Sequence, residues 1–172
     1  LTAADWNSAE APVFIQSFEV SNLRQIAAAS DVRLVQLLAI SGAPADGAAE
    51  SYDAMATPEG LRAVAEYADG IGPDKNRIRM GDAAPATLVA DAHAAGLLVH
   101  PWTFRAENVF LPPLLQRGDA PADHGALSEE ISRHLALGVD GFFTDHPHSG
   151  VEARTKFAGQ DAEEDVTCFA EP

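Results

Sequence analysis

An α/β fold on a parallel sheet is what this sequence predicts, from three observations. Short, densely apolar runs alternate along the chain with stretches whose apolar residues recur at helical spacing. Helix start and stop signals fall between the runs, the clearest being Thr57-Pro58-Glu59 and Gly96. Buried strands separated by helices imply parallel pairing through right-handed crossovers, because a hairpin turn cannot join parallel neighbours.

Taken in order, Pro12 to Phe18 has the apolar density of a buried strand, and Ser21 stands where an N-cap would open a helix carrying Leu23, Ile26 and Ala27. Val32 to Ala39 reads as a second buried strand. After a loop rich in Gly, Ala and Asp, Thr57 supplies a capping hydroxyl, Pro58 fits the first helical position and Glu59 favours the first turn. Leu61, Val64, Ala65 and Ala68 follow at helical spacing. Ala68 to Asp74 contains two glycines and a proline, so propensity alone makes it a loop. A helix is expected over Pro85 to Ala95, closed by Gly96, and a strand over Leu97 to Thr103. A loop through Leu111-Pro112-Pro113 leads to a helix with Leu127, Ile131, Leu135 and Gly138 in register, and Val139 to Thr144 reads as the last strand. Asp161 to Pro172 carry acids without periodicity and read as a flexible tail. The chain thus divides into a folded portion, residues 1–158, and an acidic tail, 159–172.

Composition narrows the chemistry. With 172 residues, 47% of them hydrophobic, the chain can bury a core but is shorter than a complete (β/α)8 barrel. A net charge of -15 argues against binding nucleic acid or anionic lipid, so a phosphate-bearing ligand would need a local cationic or metal site. Cys168 is the only cysteine, which excludes an internal disulfide and a thiolate metal cage. No run approaches the length of a membrane span, and the first residues have no signal-peptide pattern. The chain does not open with Met, which suggests that it begins inside a longer protein.

The C-terminal ends of parallel strands are where such folds place their sites. Here those ends carry Gln16, Ser17, Gln36, Asp74, Lys75, Trp102, Arg105, Thr144 and Asp145. Strand ends meet solvent in any case, so polarity there has an ordinary explanation too.

Three stretches carry a more specific signal. Val64 to Asp74 (VAEYADGIGPD) resembles the sixth barrel strand and its approach in large secreted glycerophosphodiester phosphodiesterases. Val99 to Arg105 (VHPWTFR) resembles the seventh strand, and Gly138 to Pro147 (GVDGFFTDHP) the eighth. Pro12 to Phe18 and Leu34 to Leu38 fit the fourth and fifth, so the resemblance covers roughly residues 12–155 in order. It implies the C-terminal five βα units, strands four to eight, of a (β/α)8 barrel. It also turns Ile71 to Asp74 from loop into strand end.

The resemblance further implies metal-dependent hydrolysis of glycerophosphodiesters to sn-glycerol 3-phosphate and an alcohol, in the periplasm or outside the cell. The family is described as using a His-Arg-Gly motif, a Glu-x-Asp metal pair, a His-Asp pair and a Glu near a Lys on its first three strands. None stands here in a matching setting; Glu163 and Asp165 have the Glu-x-Asp spacing but no apolar strand before them. A phosphodiester anion repels nucleophiles, so a divalent ion such as Mg²⁺ or Ca²⁺ and positioned histidines are needed. The chain alone is therefore expected to be inactive, with the catalytic residues and metal ligands on a missing N-terminal half or a complementing chain, and two strand edges left open.

Within this portion, Trp102 matches the aromatic position that packs on glycerol in the family, its N–H suited to a hydroxyl; otherwise it is a core tryptophan. Gln16 can donate to a phosphate oxygen, or serve structure. Arg105 and Lys75 can each pair with phosphate or with a carboxylate of the tail, or lie as solvated charges. His100 shares a strand face with Trp102 and reads as a barrel-filling histidine, while His134 lies beside an apolar helix face; neither it nor His93 or His124 is given a function. The family usually has an aromatic residue between Asp145 and Pro147, where this chain has His146, with His148 following. Asp145, His146 and His148 therefore form an alternative metal site for a different hydrolase, against a structural Asp and two surface histidines. A noncatalytic polyol- or phosphate-binding domain is the remaining alternative.

Overall fold

The computed structural model describes residues 1–78 and 87–167, with side chains as far as residue 159. The chain forms two compact units: Leu1–Trp102 with Val139–Phe142, and Thr103–Gly138 with the residues from Phe143 onward.

The first unit is built on four parallel strands in sequence order: β1 (Phe14–Ser17), β2 (Arg33–Leu38), β3 (Gly70–Pro73) and β4 (Leu98–Val99). Helix α1 (Val20–Ala27) connects β1 to β2, α2 (Tyr52–Met55) and α3 (Pro58–Val64) precede β3, and α4 (Leu88–Ala94) precedes β4. Five of the six β2 residues are buried, the mark of a strand covered on both faces, which is why it reads as an unbroken apolar run. Leu23, Leu61, Ile71, Leu97 and Val99 are among the core residues beside it.

β3 forms despite its composition. A Cβ on Gly70 would lie 2.8 Å from the Leu98 carbonyl oxygen, and one on Gly72 would lie 2.6 Å from Leu37 Cδ2. The glycines are therefore what lets β3 pass between its neighbours, and all four of its residues are buried. The reading of Ile71 to Asp74 as a strand end agrees with this, and the loop suggested by propensity does not.

Thr57 caps α3 as expected, accepting from the Gly60 N–H, with Pro58 in the first turn. The start of α1 differs from expectation. Glu19 occupies the cap position and Ser21 lies inside the first turn, its N–H donating to Asp46 Oδ2. Glu19 in return accepts from the N–H groups of Ala45 and Asp46, so a distant loop satisfies the helix end that a local hydroxyl was expected to cap. The Ser21 N–H first, and then the Ala48 N–H, hold the exposed Asp46 carboxyl below its ordinary pKa. α4 begins at Leu88; Pro85 and Ala86 lie outside the described residues. Gly96 adopts φ 79° just past α4, where a side chain would be strained.

The strand expected over Leu97 to Thr103 is regular only at Leu98–Val99, since Pro101 has no N–H to donate, although Asp74 and Trp102 still bridge β3 in parallel. Val139 to Thr144 is not a regular strand. Gly141 packs so closely that its Cβ would lie 2.9 Å from the His100 ring, and Asp140 turns its carboxylate back to accept from the Val99 N–H and to meet His93 Nε2.

In the second unit, Phe104 N–H donates to the Phe143 carbonyl and Thr144 bridges Phe104 in parallel. Short 3₁₀ turns at Asn108–Phe110 and Pro113–Leu115 lead to α5 (Leu127–Ala136), followed by α6 (Pro147–Thr167). The buried face of α5 is Leu127, Glu130, Ile131 and His134 rather than one centred on Leu135. His134 is 2% exposed, its Nδ1–H donating to the Glu130 carbonyl and its ring edge-on to Phe104. The backbone from Asp161 to Thr167 is the end of α6, where composition suggests a tail. No helix among the described residues is long and apolar enough to cross a membrane.

Candidate functional site

At the C-terminal end of the first unit's sheet, Trp102 is fixed on every polar atom. Its backbone N–H donates to the Pro73 carbonyl, its carbonyl accepts from Lys75 N–H, and its indole Nε1 donates to the Gly72 carbonyl at 2.6 Å. The indole N–H expected to meet a ligand hydroxyl is therefore engaged by β3. What Trp102 offers is an apolar ring, half-buried and met edge-on by Phe18 at 5.6 Å; Phe18 in turn meets Tyr52 edge-on at 6.1 Å.

Gln16 lies exposed in β1, opposite Val35. Strand alternation places it on the face of Phe14, whose ring meets His100 edge-on at 4.8 Å. Lys75 is 5% exposed, in a 3₁₀ turn whose start is capped by the Asp74 carboxylate. A solvated surface lysine is thus not what the structure contains. Arg77, passed over in the sequence, ties the end of β2 by donating from Nε to the Ala39 carbonyl and pairing with Asp53 at 2.9 Å.

Burial holds the half-buried His100 below the ordinary histidine pKa; Asp140 opposes that shift and Arg33 adds to it. Because the folded pKa lies under the unfolded one, the unfolded chain binds the proton first. The stability tied to neutral His100 is complete above the unfolded value, near 6.5, and is lost as pH falls below it. His100→Gln is expected to flatten the fall in unfolding free energy between about pH 7.5 and about pH 5, followed by denaturant titration. Identical slopes in variant and parent would refute this.

In the second unit, Arg105 Nε stands 3.1 Å from Asp145 Oδ2, a close ionic contact without good N–H alignment, and Arg105 also lies 3.8 Å from Glu107 and over the Phe110 ring. The guanidinium expected to meet phosphate is held by two carboxylates. His146 Nε2 is 3.5 Å from Glu107 Oε2 and its ring is edge-on to His124, while His148 is exposed. Glu107 sits below the usual carboxyl pKa, chiefly through its own backbone N–H, with His146 and Arg105 adding to the effect. Asp145 and His146 are thus engaged by different partners, and the candidate metal trio with His148 is not assembled. Among the described residues no group of three His, Cys, Asp or Glu side chains is arranged to hold a metal. An open cleft of about 480 Å³ beside α5 and α6 is lined by His124, His146 and Lys156 but also by Glu129 and Glu152, a mixture of charge with no clear preference for an anion.

Sequence comparison decides the family. Residues 1–149 match the glycerophosphoryl diester phosphodiesterase family. The chain belongs to this family. Glycerophosphodiester phosphodiesterase GDPD6 of Arabidopsis thaliana is 32% identical over 145 residues, covering 82% of this chain and 37% of that protein. Glycerophosphodiester phosphodiesterase of Haemophilus influenzae is 26% identical over 162 residues, covering 81% of this chain and 41% of that protein. The chain thus spans roughly two fifths of the length of these relatives.

Two solved structures share the fold. A provisionally named glycerophosphoryl diester phosphodiesterase from Silicibacter pomeroyi aligns with TM-score 0.54 and 24% identity, covering 84% of this chain and 38% of that one. Another, from Agrobacterium tumefaciens, aligns with TM-score 0.51 and 21% identity, covering 82% and 43%. The parallel α/β arrangement is accordingly that of the family, a TIM-like barrel fold.

Like Arg77, Gln36 was undervalued in the sequence. Gln36, noted only as a polar strand end, is fully buried, and Tyr67 donates to its side chain at 2.8 Å. The signal was present: an amide inside the apolar run Val32 to Ala39 has to find partners.

Proposed function

We propose that this chain supplies strands four to eight of a glycerophosphodiester phosphodiesterase barrel. The complete enzyme then hydrolyses glycerophosphodiesters to sn-glycerol 3-phosphate and an alcohol. The family match over residues 1–149 carries this reading. The parallel order of β1 to β4 and the placement of Trp102 beside the end of β3 support it.

Hydrolysis of a phosphodiester requires the anion to be neutralised and protons to be moved at the attacking and leaving oxygens. Since no donor set among the described residues fits a divalent ion, the Mg²⁺ or Ca²⁺ site belongs in this proposal to barrel strands that the chain does not contain. This chain contributes the substrate side. The Trp102 ring packs on the carbon face of glycerol, and Gln16, on the strand face of Phe14, donates its amide to an oxygen. Lys75, in the first unit, is buried, and Arg105, in the second, is already paired with acids, so a direct role on phosphate for either would require those surroundings to change. The resemblance to secreted members supports a location outside the cytoplasm for the complete protein; cell fractionation tests this, and exclusive recovery with a cytoplasmic marker would remove it.

The chain should release no glycerol phosphate by itself. Joined to, or coexpressed with, an N-terminal half bearing the His-Arg-Gly and Glu-x-Asp motifs, it should convert glycerophosphocholine to sn-glycerol 3-phosphate when Mg²⁺ or Ca²⁺ is present. A folded, metal-supplied assembly that binds glycerophosphocholine without hydrolysing it would favour a noncatalytic binding domain instead.

A further inference from the structure

We infer that Gln36 and Tyr67 are positioning residues that set the Phe18 and Trp102 wall at the strand ends, an inference that rests on the proposed substrate site for its functional consequence. Neither residue reaches the rim. Both act through the backbone exit of β1.

The regular ladder between β1 and β2 ends at Ser17 opposite Gln36. Past that pair the Gln36 side chain takes hold of the β1 backbone. Its Nε2 lies 3.2 Å from the Ser17 carbonyl, 3.0 Å from the Phe18 carbonyl and 3.1 Å from the Leu37 carbonyl, two protons shared among three acceptors. Carbonyls only accept, so the nitrogen must face them and Oε1 must face Tyr67. The Tyr67 hydroxyl donates to Oε1 at 2.8 Å and completes the network. Burial pushes the Tyr67 pKa up to about 12, so the hydroxyl keeps its proton across the working range. The guanidinium of Arg24 lies over the Tyr67 ring at 4.5 Å.

This network fixes the direction in which the chain leaves β1. The residue it grips, Phe18, immediately precedes the Glu19 cap of α1 and presents its ring to both Trp102 and Tyr52. Trp102 itself is pinned from β3 through Pro73, Lys75 and Gly72. The two halves of the aromatic wall are therefore held independently, Trp102 by β3 and Phe18 by the Gln36 amide. A leucine would fill the Gln36 position at no polar cost, as at its neighbours in β2. A fully buried amide is tolerated there because its hydrogen bonds specify a geometry that apolar packing would leave loose. Glutamate could not substitute, since a carboxylate would face three carbonyl oxygens without a proton to donate.

The test uses the full chain with Trp6→Phe, so that Trp102 is its sole tryptophan. Tyr67→Phe keeps the ring and removes only the hydroxyl; Gln36→Leu removes the whole network. Both are expected to shift the emission of Trp102 in the folded protein and to increase its quenching by acrylamide, Gln36→Leu more than Tyr67→Phe. In the completed enzyme Tyr67→Phe should raise KM for glycerophosphocholine about three- to tenfold, with kcat nearly unchanged. If Gln36→Leu does not fold, Tyr67→Phe decides. A lower melting temperature with Trp102 emission, quenching and KM all unchanged would overturn the inference and leave a purely structural hydrogen bond. An inactive completed enzyme with the parent chain would count against the proposed function, while the Trp102 spectra would still decide the positioning.

Discussion

Gly60→Ala should lower the stability of the first unit by about 2 kcal/mol, even though alanine is the better helix former. The added Cβ would stand 2.2 Å from the Ala54 carbonyl oxygen and 2.7 Å from both the Cα and the carbonyl oxygen of Met55. All three are backbone atoms, so no rotamer change relieves the clash. The same Ala54 carbonyl accepts from the Thr57 hydroxyl, and Thr57 in turn accepts from the Gly60 N–H, so separating α2 from α3 would also break the cap. It would draw Leu61, which is fully buried, out of the core. Overpacking of this kind costs about 3 kcal/mol, and the gain in helix propensity returns about 1 kcal/mol. For a chain of this size the net effect corresponds to a melting temperature lower by about 4–8 °C. An unchanged melting temperature would mean that α2 and α3 part more easily than their contact implies.

The second unit should be more sensitive still, at Phe104. Its side chain is fully buried, its ring stands edge-on to His134 at 4.8 Å, and its carbonyl accepts from both the Thr144 hydroxyl and the Asp145 N–H. Removing a buried phenyl group costs about 3–5 kcal/mol through lost transfer energy and the cavity left behind. Few large side chains are available in this unit to close that cavity: among the described residues the other buried ones of any apolar bulk are Leu111, Leu115, Leu127 and Ile131, with the His134 ring beside them. Phe104→Ala is therefore expected to abolish most of the amide exchange protection of α5, measured by hydrogen–deuterium exchange on the full chain. Protection of α5 equal to that of the parent would show that Phe104 is not the centre of this core.

Much of the architecture was legible in order and type. β1, β2 and the helix opened by Thr57 lie where apolar density and capping chemistry put them; burial on both faces leaves β2 an unbroken apolar run, whereas β1, expected to be buried, is only half-buried with Gln16 exposed. Two positions were legible: Trp102 stands beside the end of β3, and Gln16 lies near the end of β1. What each group can do there was not legible. The Trp102 N–H is taken by Gly72, Arg105 by Asp145 and Glu107, and Lys75 is buried. The candidate trio of Asp145, His146 and His148 dissolved for the same reason: closeness in sequence did not bring the donor atoms together.

By itself, then, the sequence determined the alternation of strands and helices, the family and the residue types available at the strand ends, since these follow from periodicity, local capping and motif. Tertiary structure alone decided why Gly70 and Gly72 suit the strand that resemblance implied against their propensity, that a distant loop rather than Ser21 closes the start of α1, and that Gln36 holds the exit of β1. A glycine's value depends on which neighbour presses against it. A polar group's role depends on which acceptor or charge lies within about 3 Å, and those partners come from chain segments far apart in sequence.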